Sequence, residues 1–100
     1  MLIYNTTYLV ADRQFGPWMK WLREIHIPFM LDCGFNNAQI AKVLTNDANQ
    51  DGTSVTVQFL IEDMYKLTVW DEEHAEKLLE SLAELFGSDV LSFSTVLELL

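Results

Sequence analysis

His26 is the side chain best suited to chemistry in this 100-residue chain. An imidazole, with an ordinary pKa near ~6.5, can act as acid, base or ligand. It stands in Trp21-Leu22-Arg23-Glu24-Ile25-His26-Ile27-Pro28, behind a tryptophan and two residues ahead of a proline. A structural role competes with this: a histidine near a helix C-terminus can bond the last carbonyls, where a cation is favoured. Nothing adjacent in sequence supplies an acid/base partner, which favours the structural role.

The other reactive groups point less sharply. His74 lies in Asp71-Glu72-Glu73-His74-Ala75-Glu76. Successive helical residues point in different directions and there is no histidine at i+4, so a solvated helix start is preferred over a metal site. The segment 46–52 is dense in Asn and Asp and ends in Gly52. It lacks the twelve-residue EF-hand pattern with its closing Glu and reads as a hairpin turn. Cys33, the single cysteine, sits near a helix end, where the dipole does not lower a thiol pKa. No Gly-rich phosphate loop, Gly-x-Ser-x-Gly, His-Glu-x-x-His or CxxC is present. No residue is assigned a catalytic role, and no metal or cofactor is expected.

The composition narrows the partners. The net charge is −9, from 15 acidic and 6 basic residues, which disfavours nucleic acid and anionic membrane surfaces. One cysteine excludes an internal disulfide and makes a reducing cytoplasm the default. The first residues lack the pattern of a signal peptide, and no apolar run approaches ~18 residues. Half the residues are hydrophobic, with three Trp and six Phe. That is much apolar surface for a small chain to bury alone, and an oligomer interface would hide part of it.

The elements that must position these groups follow in order. Residues 2–11 are rich in β-formers and read as the first strand. A helix follows from Gln14 or Phe15, with Pro17 in its opening turn. Trp18, Trp21, Leu22, Ile25 and Phe29 form its apolar face. Pro28 should kink or restart it, and Gly34 suits its C-terminal cap. Residues 35–44 form a second strand and residues 53–62 a third, the clearest alternation in the chain. Residues 63–70 read as a short helical turn or loop with Met64, Leu67 and Trp70 inward. A second helix starts near Asp71, with Ala75, Leu78, Leu79, Leu82, Leu85 and Phe86 as its stripe, and stops at Gly87. Residues 90–97 form the fourth strand.

The order β-α-β-β-α-β predicts an α+β, ferredoxin-like fold over residues 1–100: a four-stranded antiparallel sheet with two helices on one face. Right-handed crossovers place the first and third strands in the centre. In one choice of register the uncovered face carries Tyr4, Tyr8, Val10, Ile40, Leu44 and Leu60. It is too apolar to stay wet, so a homodimer through this face is expected.

The blocks Ile3-Tyr4-Asn5-Thr6-Thr7, Trp18-Met19-Lys20-Trp21, His26-Ile27-Pro28, Gly34-Phe35, Val57-Gln58-Phe59, His74-Ala75 and Phe93-Ser94-Thr95-Val96-Leu97-Glu98 resemble an uncharacterised bacterial family, a domain of unknown function. That family is similar to the dimeric α/β-barrel superfamily of ferredoxin-like domains. The resemblance implies a two-fold barrel of two sheets and a pocket between the first helix and the sheet, with His26-Ile27-Pro28 at its mouth. Ser94 departs from the superfamily pattern, where an Arg is expected. The superfamily hosts monooxygenases, haem-degrading enzymes, isomerases and ligand-binding regulators, so it fixes no reaction.

Two functions follow as expectations. One is a non-enzymatic homodimer that binds a small apolar ligand or a protein partner. The other is a cofactor-free enzyme of monooxygenase or isomerase type, with His26 as acid or base and Asn5 or Gln58 polarising the substrate. The candidate pocket is therefore His26, Trp21, Asn5 and Gln58. Whether His26 faces an internal cavity beside polar groups separates the two functions.

Overall fold

The computed structural model describes residues 1–45 and 51–100. Alternating strand residues set the sheet. The strands are β1 (Leu2–Val10), β2 (Asn36–Lys42), β3 (Thr53–Ile61) and β4 (Val90–Glu98). They pair antiparallel in the order β2-β3-β1-β4. The central pair is β3 and β1, as right-handed crossovers demand. Tyr8, Val10, Val55, Val57, Phe59 and Ile61 are buried on one face, and the helices cover that face. Of the turn 46–52, residues 46–50 lie outside the described part. At Gly52, φ is +112° and an added Cβ would stand 2.4 Å from the Val10 carbonyl oxygen, so only glycine fits this approach.

Of the residues expected on the uncovered face, Leu60 stands there, Leu44 lies beyond β2, and the other four turn to the helices. Residues directly opposite in an antiparallel pair share a face. Tyr4, Tyr8 and Val10 pair with Phe59, Val55 and Thr53, and Ile40 pairs with Val57; all stand on the helix side. The open side carries Ile3, Asn5, Thr7 and Leu9 with their partners Leu60, Gln58, Thr56 and Ser54, and Leu91, Phe93, Thr95 and Leu97 of β4. A one-residue change of assignment flips every side chain, and β1 is apolar or aromatic on both faces, so its own pattern did not decide.

The first helical run comprises α1 (Phe15–Trp21), a π-helical turn (Leu22–His26) and α2 (Ile27–Asp32). Pro28 sits in the first turn of α2 and does not break the path. The Ile27 N–H instead reaches back five residues to the Leu22 carbonyl, and the wider turn takes up the proline. One consequence reaches the core. A π turn holds an extra residue, and each residue turns the helix by about 100°. The buried face therefore slips by one: Trp18, Trp21 and Leu22 continue to His26 and Met30 rather than to Ile25, and Phe29 is only half-buried at the edge of the core. Ile25, expected inside, is 60% exposed.

Gly34, at φ +102°, ends the run. The Phe35 N–H bonds the Met30 carbonyl and the Gly34 N–H that of Leu31, the paired bonds of a Schellman cap. Phe35 is thereby a cap residue rather than the first of β2, and its ring enters the core, 5.8 Å from that of Phe59.

The second run begins earlier than the sequence predicts. It comprises α3 (Met64–Trp70), a second π turn (Asp71–Ala75) and α4 (Glu76–Phe86). Asp63 starts it: its carboxylate accepts from the Lys66 N–H at 2.9 Å. Asp71 lies inside the helix, and the Asp71-Glu72-Glu73 run is its exposed face. Met64, expected inward, is exposed, whereas Leu67 and Trp70 are buried. Replacing Asp63 by Ala removes one cap and should cost about 1 kcal/mol, read as a fall in the urea midpoint at constant m.

Arg13 and Asp89 join the start of the first run to the start of β4. The guanidinium meets both carboxylate oxygens, at 2.5 and 3.2 Å, and the Ala11 N–H bonds the Asp89 carbonyl at 2.8 Å. The Arg13 contact, helped by Gln14, holds the Asp89 carboxyl below its ordinary pKa. No helix among the described residues is long and apolar enough to cross a membrane.

Candidate functional site

His26 reaches the interior because of the π turn that precedes Pro28. Its side of the helix faces the sheet, and the residue is 4% exposed. The ring stacks on Trp21, with centroids 4.9 Å apart and planes 11° from parallel. It stands edge-on to Phe59 at 6.2 Å. Nδ1 is buried and has no hydrogen-bond partner among the described residues. The expected carbonyl-capping role is therefore not what the ring does. Burial pushes its pKa down from 6.5 to about 4, because the charged form loses its hydration without gaining a counterion. At neutral pH His26 is an uncharged imidazole with one donor and one acceptor.

A cavity of about 280 Å³ lies between the helical layer and the sheet and is bordered by His26. Its floor is hydroxylic: Tyr4, Thr6 and Tyr8 of β1 and Ser92 and Ser94 of β4. These positions pair across the two strands, Thr6 with Ser94 and Tyr8 with Ser92, so strand alternation turns all of them towards the helices. The Thr6 and Ser94 hydroxyl oxygens are 2.9 Å apart, and the Tyr4 hydroxyl donates to Ser94 at 3.2 Å. Burial, reinforced by nearby Tyr4, pushes the Tyr8 phenol well above its ordinary pKa, which keeps it a hydroxyl. Trp21 borders the cavity on one side, and Trp70, Asp71, Ala75, Leu78 and Leu82 of the second helical run on the other. A groove of about 250 Å³, lined only by helical residues, shares Trp21, His26 and Leu78 with the cavity.

The four predicted pocket residues separate into two pairs. His26 and Trp21 border the cavity. Asn5 and Gln58 are cross-strand partners of each other on the opposite face of the sheet, so neither can polarise a ligand held beside His26. The Asn5 Oδ1 is buried and unpartnered there. The hydroxyl floor was missed for the reason that inverted the open face. The signal available was the even-numbered series Tyr4, Thr6, Tyr8 of β1, once Val55, Val57, Phe59 and Ile61 had been taken as the core side.

The remaining candidates lie elsewhere. His74 belongs to the π turn of the second run, not to a helix start, and is edge-on to Phe29 at 5.3 Å. Cys33 is half-buried at the end of α2, and burial holds its thiol above its ordinary pKa. Among the described residues no three His, Cys, Asp or Glu gather in a way that could hold a metal ion.

An antiparallel β2-β3-β1-β4 sheet under two helical runs, with a cavity between the layers, defines a ferredoxin-like protein. The chain belongs to the family described as Domain of unknown function (DUF4286), whose model matches residues 1–100. No sequence among curated proteins matches it. Three solved structures share the fold. An ethyl tert-butyl ether (ethd) family protein from Bacillus halodurans C-125 is 11% identical with a TM-score of 0.68, over 100% of both chains. HapK from Hahella chejuensis is 12% identical with a TM-score of 0.70, over 100% of this chain and 93% of that one. A dimeric ferredoxin-like protein from an uncultured marine organism is 8% identical with a TM-score of 0.62, over 99% and 94%.

Proposed function

We propose that this chain is a small homodimeric binding protein that holds a small, largely apolar ligand between its helices and its sheet, without transforming it. The cavity carries this reading: its wall joins an uncharged, buried His26 to the hydroxyls of Tyr4, Thr6 and Ser94. Sites for small molecules are mostly apolar with a few placed polar groups, and this one has that character. An unpartnered buried Nδ1 is costly unless something satisfies it, and a ligand group would do so.

The homodimer rests on the open sheet face. Leu91, Phe93 and Leu97 are 57%, 66% and 43% exposed and stand together on that face. One solved relative in fold is described as dimeric. A second sheet packed against this face would bury them. A reducing cytoplasm suits the lone half-buried thiol.

Acid/base chemistry of monooxygenase or isomerase type is the second reading, and one observation favours it: His26 does face a cavity beside polar groups. Its depressed pKa of about 4 makes it a weak base at neutral pH. Proton transfer works best when the catalytic pKa lies near the working pH, so binding is the better-supported function.

Native mass spectrometry of the protein purified from its own source tests the proposal. The expected spectrum shows two chains carrying a bound small molecule. A bare monomer at micromolar concentration overturns it. In sedimentation, Leu97→Glu places a charge on the open face and is expected to yield the mass of one chain where the unaltered protein yields two.

A further inference from the structure

The lining of the cavity limits what the ligand can be. Among the described residues that border it, Asp71 is the one Asp or Glu, and no Lys or Arg is present. His26 supplies no positive charge. The rest of the chain repeats this sign, with 15 acidic against 6 basic residues. Of those six, Arg13 and Lys66 are paired with Asp89 and Glu62, and Lys77 lines the neighbouring helical groove rather than the cavity. An anion entering here would lose its hydration, gain no cation and approach a carboxylate.

Size gives the second limit. An apolar cavity of about 150 Å³ takes one benzene ring, so a cavity of about 280 Å³ takes roughly two. Its aromatic and aliphatic border, Trp21, Trp70 and Leu82 with the hydroxyl floor opposite, suits a flat body with a polar group at one end.

We propose that the ligand is a two-ring compound, uncharged or protonated, carrying a hydroxyl or amino group that meets the His26 and Thr6–Ser94 side of the cavity, and that anions are rejected. The proposal rests on the binding reading above, and its test separates the two.

The test titrates the full chain calorimetrically, at neutral pH, with three probes of one shape and different charge: naphthol, naphthylmethylammonium and naphthoate. Naphthol and naphthylmethylammonium are expected to bind, and naphthoate roughly tenfold more weakly or worse, since a like charge several ångströms away in a partly desolvated site is worth at least that factor. Leu79 borders the cavity and is 58% exposed, so Leu79→Lys adds a cation without emptying the core. It is expected to recover naphthoate and weaken naphthylmethylammonium. Naphthoate binding as tightly as naphthol overturns the charge inference and leaves the binding reading standing. Failure of all three probes overturns the two-ring proposal, while the binding reading stands or falls on the mass spectrum of the purified protein. Probe binding that Leu79→Lys does not alter places the site elsewhere and also overturns the proposal.

Discussion

Trp18→Ala should destabilise the protein by about 3–5 kcal/mol, the range for emptying a large aromatic from a packed core. Trp18 is fully buried. Its ring lies 5.0 Å from that of Tyr8 on β1 and 6.3 Å from that of Phe15, so it bolts the first helical run onto the central strand. The site can collapse little, because Tyr8 is held within the β1–β3–β4 pairing. For a chain of this length each kcal/mol moves the midpoint of thermal unfolding by about 4–8 °C, so the loss should be plain in a melting scan as well as in urea. Trp18→Phe gives the informative contrast. The indole Nε1 is buried and unpartnered among the described residues, so no hydrogen bond is lost with it. Truncation to phenyl removes an unsatisfied donor along with some volume, and Trp18→Phe should cost well under half of what Trp18→Ala costs. Equal losses would show that the indole nitrogen contributes in a way the packing does not explain.

The second large effect is a loss of stability in acid that depends on His26. Its pKa is about 4 folded and 6.5 in the ordinary, unfolded setting. Above pH 6.5 both states hold it neutral and it has no pH-dependent effect. As pH falls from 6.5 towards 4, the unfolded chain binds the proton and the folded one does not, so stability declines. Below about 4 the decline stops. Full linkage over that window amounts to about 3 kcal/mol. His26→Phe keeps a flat ring against Trp21 and Phe59 and removes the titration. The stability of the unaltered protein relative to His26→Phe should therefore drop by about that amount between pH 7 and pH 4. The difference between the two proteins is the quantity to measure, because carboxylates titrate in both. The ionisable groups around the ring are Asp71, Tyr4 and Tyr8 across the cavity and His74 and Lys77 across the groove. An unchanged difference, or an NMR titration of His26 near its ordinary value, would refute the buried neutral state.

These two residues also mark how far the sequence carried the structure. The β-α-β-β-α-β order, the alternation of β3 and the Gly34 cap follow from short-range rules (period-two hydrophobicity, proline at an opening helical turn, glycine at positive φ), and the central position of β1 and β3 from the right hand of the crossovers. Trp18 could be placed in the core from helical spacing alone, because it precedes any irregularity. His26 could not. A regular helix through Trp18, Trp21 and Leu22 puts Ile25 inside and His26 aside, and the extra residue of the π turn exchanges them. Pro28 signalled a disturbance at that place, but its form depended on the sheet beneath. Burying the ring against Trp21 and Phe59 is a tertiary outcome.

The sequence by itself determined the family, the topology, the charge and the chemical groups available. Tertiary structure alone decided which of those groups meet. Asn5 and Gln58 are close in space, as partners across β1 and β3, yet the sheet stands between them and His26. Ser94, far along the chain from Tyr4 and Thr6, joins them in one hydroxyl floor. The physical reason is the strand period of two: a shift of one residue in which face meets the helices exchanges the whole set of side chains. Only the packing of Trp18, Trp21 and Trp70 against one face settled that choice.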